Sequence, residues 1–318
     1  MLDASELNLS NVAFIFPGQG SQYVGMGMDL YEHFDQAKSL YERANAILDF
    51  DLIKLCFEGP DEELAQTEKT QPALFVHSYI VNQLLRQRGI TPVMTAGHSL
   101  GEYSALAAAG VLQFEQGLRL VQMRGKLMQN AGGSVKGTMA AIVGLDYLTV
   151  HHICQLASHH ALVDLANFNS PDQIVISGTI AGVEAAMQMA TERGAKRVVQ
   201  LNVSGAFHSP LMKPVIHDFI ESLEIIDFKS PTIPVFTNVT GQATTDAVEI
   251  KMFLEKQLLS PVLWTETIKH MIQGGAETFI EVGPGKVLTG LLKKIDRTLN
   301  VISLGSFEQL DSFFERYC

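Results

Sequence analysis

Cysteine is scarce: Cys56, Cys154 and Cys318 are the only three in 318 residues, and no two have C-x-x-C spacing. That excludes a disulfide framework and a thiolate zinc site, and it points to a reducing compartment. Positive charge is short as well. Lys and Arg total 23 against 34 Asp and Glu, for a formal net charge of -11, which argues against a nucleic-acid partner without a strong local basic patch. Long apolar runs are missing. The longest, Ala105 to Leu112, falls far short of the roughly 20 residues that span a bilayer. The opening MLDASELNLS carries acids and no basic stretch, so a signal peptide is not expected and the cytoplasm is. What is abundant is hydrophobic residues, 47% of the chain against 18% charged, a composition that folds compactly. The length suits two domains, or one large α/β domain with an insertion.

The chemistry concentrates at Gly97-His98-Ser99-Leu100-Gly101, a G-x-S-x-G pentapeptide. Pro92 to Ala96 before it reads as a short buried strand, and Glu102 to Ala109 after it as a helix. Strand, sharp turn and helix form the context of a nucleophile elbow. Ser99 would stand at its tip, with the Leu100 N–H pointing into the same space at the helix N-terminus, where it could stabilise an oxyanion. Against that stands chance, because the pentapeptide is short.

Upstream, Val12 to Phe16 is a continuous apolar run, as for a strand covered on both faces. It leads into Pro17-Gly18-Gln19-Gly20-Ser21-Gln22. The dinucleotide fingerprint fails there because Tyr23 takes the third glycine's place, and no phosphate loop is present. The loop reads either as an ordinary turn or as the donor of a backbone N–H, best placed on Gln19, beside Ser99. Asp29 to Leu48 has helical spacing, as does Ala73 to Arg88 with Pro72 near its first turn, and His77 reads as a packed histidine. Residues 1–10 read as a frayed arm. Phe114 to Asn130 reads as a helix on which Arg124 borders an apolar face. Such an arginine either snorkels to solvent or meets a buried anion.

Ala131 to Ser134 reads as a linker. Beyond it the order is β-α-β-β-α-β: strands over Met139–Val143, Leu162–Ala166, Ile174–Ser177 and Arg197–Val203, with helices over Tyr147–Ser158 and Ile180–Arg193. That order is the ferredoxin-like module and marks 134–204 as a small inserted domain. Its loop Asn167 to Pro171 either lines a cleft or simply turns. His208, in the loop Ser204 to Pro210 where the chain re-enters the main domain, ranks first among ten histidines as a catalytic group. Strands over Ile233–Asn238 and Glu277–Val282 and a helix over Val287–Ile295 complete a doubly wound main domain of residues 11–133 and 205–300. Residues 301–318 read as a tail.

Together FPGQGSQ at 16–22, GHSLGEYSAL at 97–106, Arg124 with Met128, GAFHS at 205–209, QLLSPVLW at 257–264 and EVGPGK at 281–286 resemble the malonyl-CoA:acyl carrier protein transacylases, over nearly the whole chain and in order. The resemblance implies an α/β-hydrolase-like core with a ferredoxin-like insertion. It implies Ser99 as nucleophile, His208 as its base and Gln257 as the residue orienting His208. The Gln19 and Leu100 amides become the oxyanion hole, and Arg124 a clamp for the malonyl carboxylate. His98, Asn169, Phe207 and Met128 become residues of the substrate cleft. Ala206 stands where the family often has proline. No metal and no tightly bound cofactor are implied. The substrates are malonyl-CoA and a phosphopantetheinylated acyl carrier protein, and a monomer is expected. Lys196-Arg197, Lys213, Lys286 and Lys293-Lys294 are either a carrier-docking patch or solvated charges. Two other readings of the sequence are a serine hydrolase, which would not need Arg124, and a non-catalytic carrier-binding scaffold.

Overall fold

The computed structural model describes residues 9–134 and 136–318. Among the described residues ten strands fall in chain order: β1 Val12–Phe16, β2 Met94–Gly97, β3 Gly137–Val143, β4 Val163–Ser170, β5 Gln173–Thr179, β6 Arg197–Gln200, β7 Val235–Phe236, β8 Ala243–Thr244, β9 Thr278–Val282 and β10 Asn300–Leu304. They make two sheets. The larger runs β10-β9-β1-β2-β7-β8, parallel except for the β7–β8 edge pair. The smaller runs β4-β5-β3-β6, antiparallel throughout.

β1 shows why the larger sheet is covered on both sides. All five of its residues are buried. Because side chains alternate along a strand, Val12, Phe14 and Phe16 enter one core while Ala13 and Ile15 enter a second core on the opposite face. The smaller sheet uses the same alternation differently. Ala140, Ile142, Ile174 and Ile176 pack under helices Tyr147–Ser158 and Ile180–Glu192. Met139, Ala141 and Val175, on the other face, join the core of the larger body. Main-chain hydrogen bonds stitch the two parts together: Val262 N–H donates to Ala166 O at 2.9 Å, and Phe168 N–H to Val262 O at 2.9 Å.

The turn after β2 is a steric solution. A Cβ on Gly101 would lie 2.0 Å from the Phe16 carbonyl oxygen, and one on Gly97 1.9 Å from Gly101. With both glycines in place, helix Gly101–Ala108 starts directly above the ends of β1 and β2.

Several sequence expectations are corrected. Ala131 to Ser134 is no linker, because helix Phe114–Ser134 runs through it. Pro72 lies inside helix Thr67–Gln87, which begins well before Ala73. Asn167 to Ser170 is the end of β4 instead of a loop, since it pairs with β5 and with Val262. The expected strand over Ile233–Asn238 shrinks to the two residues of β7. Residues 301–318 are no tail: β10 is a parallel edge strand beside β9, and helix Phe307–Tyr317 buries Leu310, Phe313 and Phe314. The arm expected over residues 1–10 lies, for 1–8, outside the described residues. Among the described residues no helix is long and apolar enough to cross a membrane.

Gly101→Ala should cost about 3 kcal/mol, the upper end for forcing extra atoms into packed structure. Urea unfolding of the variant checks this, and a loss below about 1 kcal/mol would mean that the elbow relaxes freely.

Candidate active site

A cavity of about 440 Å³ lies between the two sheets. Gln19 to Gln22, the elbow and helix residues Arg124 and Met128 line it from the larger body. Met139, Ala141, Asn167 and Asn169 line it from the smaller sheet, and Phe207 and His208 from the returning chain. Sequence-predicted residues from five separate stretches therefore meet in one crevice. Gln257 is fully buried behind them, in contact with Arg124 and His208.

Two non-glycine residues among those described have a left-handed backbone, Ser99 at φ 51° and His208 at φ 56°. Such conformations cost on the order of 1–3 kcal/mol each and persist where surrounding structure imposes them. These two residues bond to each other: Ser99 Oγ lies 2.8 Å from His208 Nε2. The ring's other nitrogen, Nδ1, lies 2.9 Å from the Gln257 carbonyl oxygen and 3.2 Å from that of Ser260. Carbonyls only accept, so Nδ1 carries the proton and Nε2 is left to accept from the Ser99 hydroxyl. Gln257 thus orients His208 through its main chain. Burial, with the Arg124 charge adding to it, pushes the His208 pKa down to about 3. At neutral pH the ring is an uncharged acceptor.

Arg124 does not snorkel. Its accessible surface is zero. Nη1 donates to Gln71 Oε1 at 2.8 Å, and Nη2 to Gln257 Oε1 at 3.0 Å and to Ser99 Oγ at 3.2 Å. The guanidinium also lies over the Tyr103 ring, 5.2 Å from its centroid. Buried Nε has no acceptor among the described residues. A buried cation with neutral partners and a spare donor has the chemistry to pair with an anionic group that fits the cavity.

The backbone N–H groups of Leu100 and Gln19 likewise have no acceptor among the described residues. His98 Nε2 bonds Asn169 Oδ1 at 2.8 Å, tying the elbow to the end of β4. Met128 Sδ accepts from Gln71 Nε2 at 3.2 Å.

Three functional residues escape the sequence reading. Gln71 sits against Arg124. Asn238, just past β7, accepts from Ser99 N–H at 2.7 Å and donates from Nδ2 to Gly97 O at 2.6 Å, gripping both sides of the elbow. Glu102 is 1% exposed, and its Oε2 accepts from Gln257 Nε2 at 2.6 Å and from Asn238 N–H at 3.2 Å. Burial raises its pKa to about 7. The available signals were thin: a carboxylate one residue after the elbow, an asparagine at a strand's C-terminal end, and a glutamine beside a helical proline. Among the described residues no cluster of three or more His, Cys, Asp or Glu is placed to hold a metal.

Residues 13–304 match the model of the acyl transferase domain. The malonyl CoA-acyl carrier protein transacylase of Bacillus subtilis (strain 168) is 47% identical over 304 residues, 95% of this chain and 96% of that protein. The protein of the same name from Staphylococcus aureus (strain MRSA252) is 43% identical over 308 residues, 96% of this chain and 99% of the other. Among solved structures, an acyl carrier protein S-malonyltransferase from Vibrio cholerae superposes with a TM-score of 0.92 at 45% identity, covering 96% of this chain and 100% of that one. A malonyl-transacylase solved in complex with its type II PKS acyl-carrier protein gives 0.92 at 41% identity, covering 96% and 99%. The mixed α/β fold, with its parallel sheet and separate antiparallel sheet, is the fold of these enzymes. The chain belongs to the acyl transferase family, among the malonyl CoA-acyl carrier protein transacylases.

Proposed function

We propose that the crevice moves a malonyl group from coenzyme A to the phosphopantetheine thiol of an acyl carrier protein, through a malonyl ester on Ser99, to supply fatty acid elongation. The observation that carries this reading is the position of Ser99 Oγ, between the neutral Nε2 of His208 and the Nη2 of a buried arginine.

Ser99 Oγ attacks the thioester carbonyl as its proton passes to His208 Nε2. The oxyanion sits between the N–H groups of Leu100 and Gln19, each donor contributing on the order of a hundredfold. The carbon–sulfur bond breaks, the thiol of coenzyme A leaves with the proton from His208, and a malonyl ester remains on Ser99. The carrier thiol then gives its proton to His208 and attacks the ester. Ser99 leaves and recovers the proton. Arg124 holds the free carboxylate throughout, so an acyl group without one loses a charge-assisted contact. His98, Asn169, Phe207 and Met128 shape the pocket around the acyl chain. The sequence needs no cofactor. All its groups come from one chain, which supports action as a monomer, and the three free thiols support a cytoplasmic setting.

The architecture we propose is an α/β-hydrolase-like main domain with a ferredoxin-like insertion near 134–204. The elbow after parallel β2 supports the first part. The β4-β5-β3-β6 order reached through β-α-β-β-α-β connections supports the second. The main domain then comprises 11–133 and 205–300 together with β10 and the final helix.

Mixing the protein with malonyl-CoA should add one malonyl mass, seen on the intact protein, and carrier protein should remove it as malonyl-carrier. Ser99→Ala should show no adduct. Free malonate without loaded carrier would indicate a hydrolase, and an unmodified wild-type chain a scaffold.

Arg124→Ala should lower kcat/KM for malonyl-CoA about a hundredfold, the scale of two lost charged hydrogen bonds. Its use of acetyl-CoA should fall less. Unchanged malonyl kinetics would reject the clamp.

His208 also makes stability depend on pH. Above about pH 6.5 the ring is neutral whether folded or unfolded. Below that the unfolded chain takes up a proton, which the folded ring refuses down to about pH 3, so stability falls as pH falls. Denaturant unfolding between pH 4 and 6 should show a wild-type slope steeper than that of His208→Gln by about 1.4 kcal/mol per pH unit. Equal slopes would mean that the buried ring is charged.

A further inference from the structure

Arg124 has an unusual set of protein partners. Its donors meet two amide oxygens and one hydroxyl, with no carboxylate in direct contact among the described residues. A direct ion pair would neutralise the buried charge, but it would also compete with a substrate carboxylate for the same N–H groups. The nearest compensating group is one side chain away. Glu102 Oε2 accepts from Gln257 Nε2 at 2.6 Å, and Gln257 Oε1 accepts from Arg124 Nη2 at 3.0 Å.

The direction of that amide matters. A primary amide can be turned end for end at almost no steric cost, and its orientation follows its neighbours. Turned over, Gln257 would aim its NH2 at the guanidinium and its oxygen at the main-chain carbonyl of Ser99, setting donor against donor and acceptor against acceptor. An ionised carboxylate at 102 adds a third penalty, because it accepts from Nε2 and would face the amide oxygen after the turn; with its pKa raised to about 7, that hold is complete only above neutral pH. Glu102 is 1% exposed and Gln257 and Arg124 are fully buried, so bulk solvent does not reach this contact. The same Oε2 takes the N–H of Asn238, whose side chain holds Gly97 and Ser99.

We propose that Glu102 is a positioning residue that helps to set the orientation of the Gln257 amide and so keeps Arg124 aimed and open for the substrate carboxylate. Glu102 touches neither substrate nor the reacting atoms. It acts through Gln257. Its effect therefore falls on substrates that use Arg124 and largely spares those that do not. The inference rests on the malonyl-transfer reading above.

The test compares loading of Ser99 from malonyl-CoA and acetyl-CoA, by intact mass and stopped-time kinetics, in wild type and in Glu102→Gln, which keeps the shape and removes the carboxylate's hold on the Gln257 amide. The expected result is a fall in malonyl kcat/KM of about tenfold or more, carried mainly by KM, with acetyl loading changed by less than about threefold. Equal losses for both substrates would make Glu102 a merely structural support of the elbow and overturn the proposal, as would no loss for either. Should Glu102→Gln fail to fold, Glu102→Leu removes the same carboxylate while keeping much of the bulk. Malonyl-selective loss there supports the proposal, and an equal loss overturns it. Failure of the wild-type chain to load malonate at all would instead reject the underlying transfer reading.

Discussion

A guanidinium with no accessible surface is the constraint around which this molecule is arranged. Removing such an ion from water costs several kcal/mol even after relaxation, and that cost is met only where its donors are well paired. Here the pairing uses neutral oxygens from three separate stretches: Gln71 on helix Thr67–Gln87, Ser99 on the elbow and Gln257 at the end of helix Ala247–Gln257. Holding all three in register requires the core beneath them to be rigid. The parallel sheet, with both faces buried, supplies that rigidity.

The same guanidinium depresses the basicity of His208, although burial is the larger cause. In the proposed chemistry a carboxylate bound to Arg124 offsets the positive charge beside the ring and makes the imidazole a better proton acceptor. Binding of the correct acyl group and activation of the hydroxyl are thereby linked through electrostatics alone, with no movement of the chain.

How far the sequence revealed this depends on the kind of signal each residue carried. Helices Tyr147–Ser158 and Val287–Ile295 were legible to the residue, because apolar spacing and flanking turn residues agreed there. The elbow was legible because two glycines four positions apart meet a real steric demand. The linker at 131–134 was misread. Paired glycines usually interrupt a helix, but here the chain continues as helix to Ser134. The segment after 300 was misread because a five-residue edge strand with half-exposed residues has little pattern of its own and is defined by pairing with β9. Glu102, Gln71 and Asn238 left almost no trace. Each matters through contacts to residues far away in sequence, and single-chain periodicity does not report such contacts.

The main-chain bonds that join Val262 to Ala166 and Phe168 tie the smaller sheet to the larger body beside the crevice. The cavity between the sheets is already formed without a ligand, about 440 Å³ in volume. Long acyl-bearing arms have to thread in from the mouth end-on, tip first. Selection among visitors is then a matter of what fits at the bottom of the shaft, where the buried guanidinium waits.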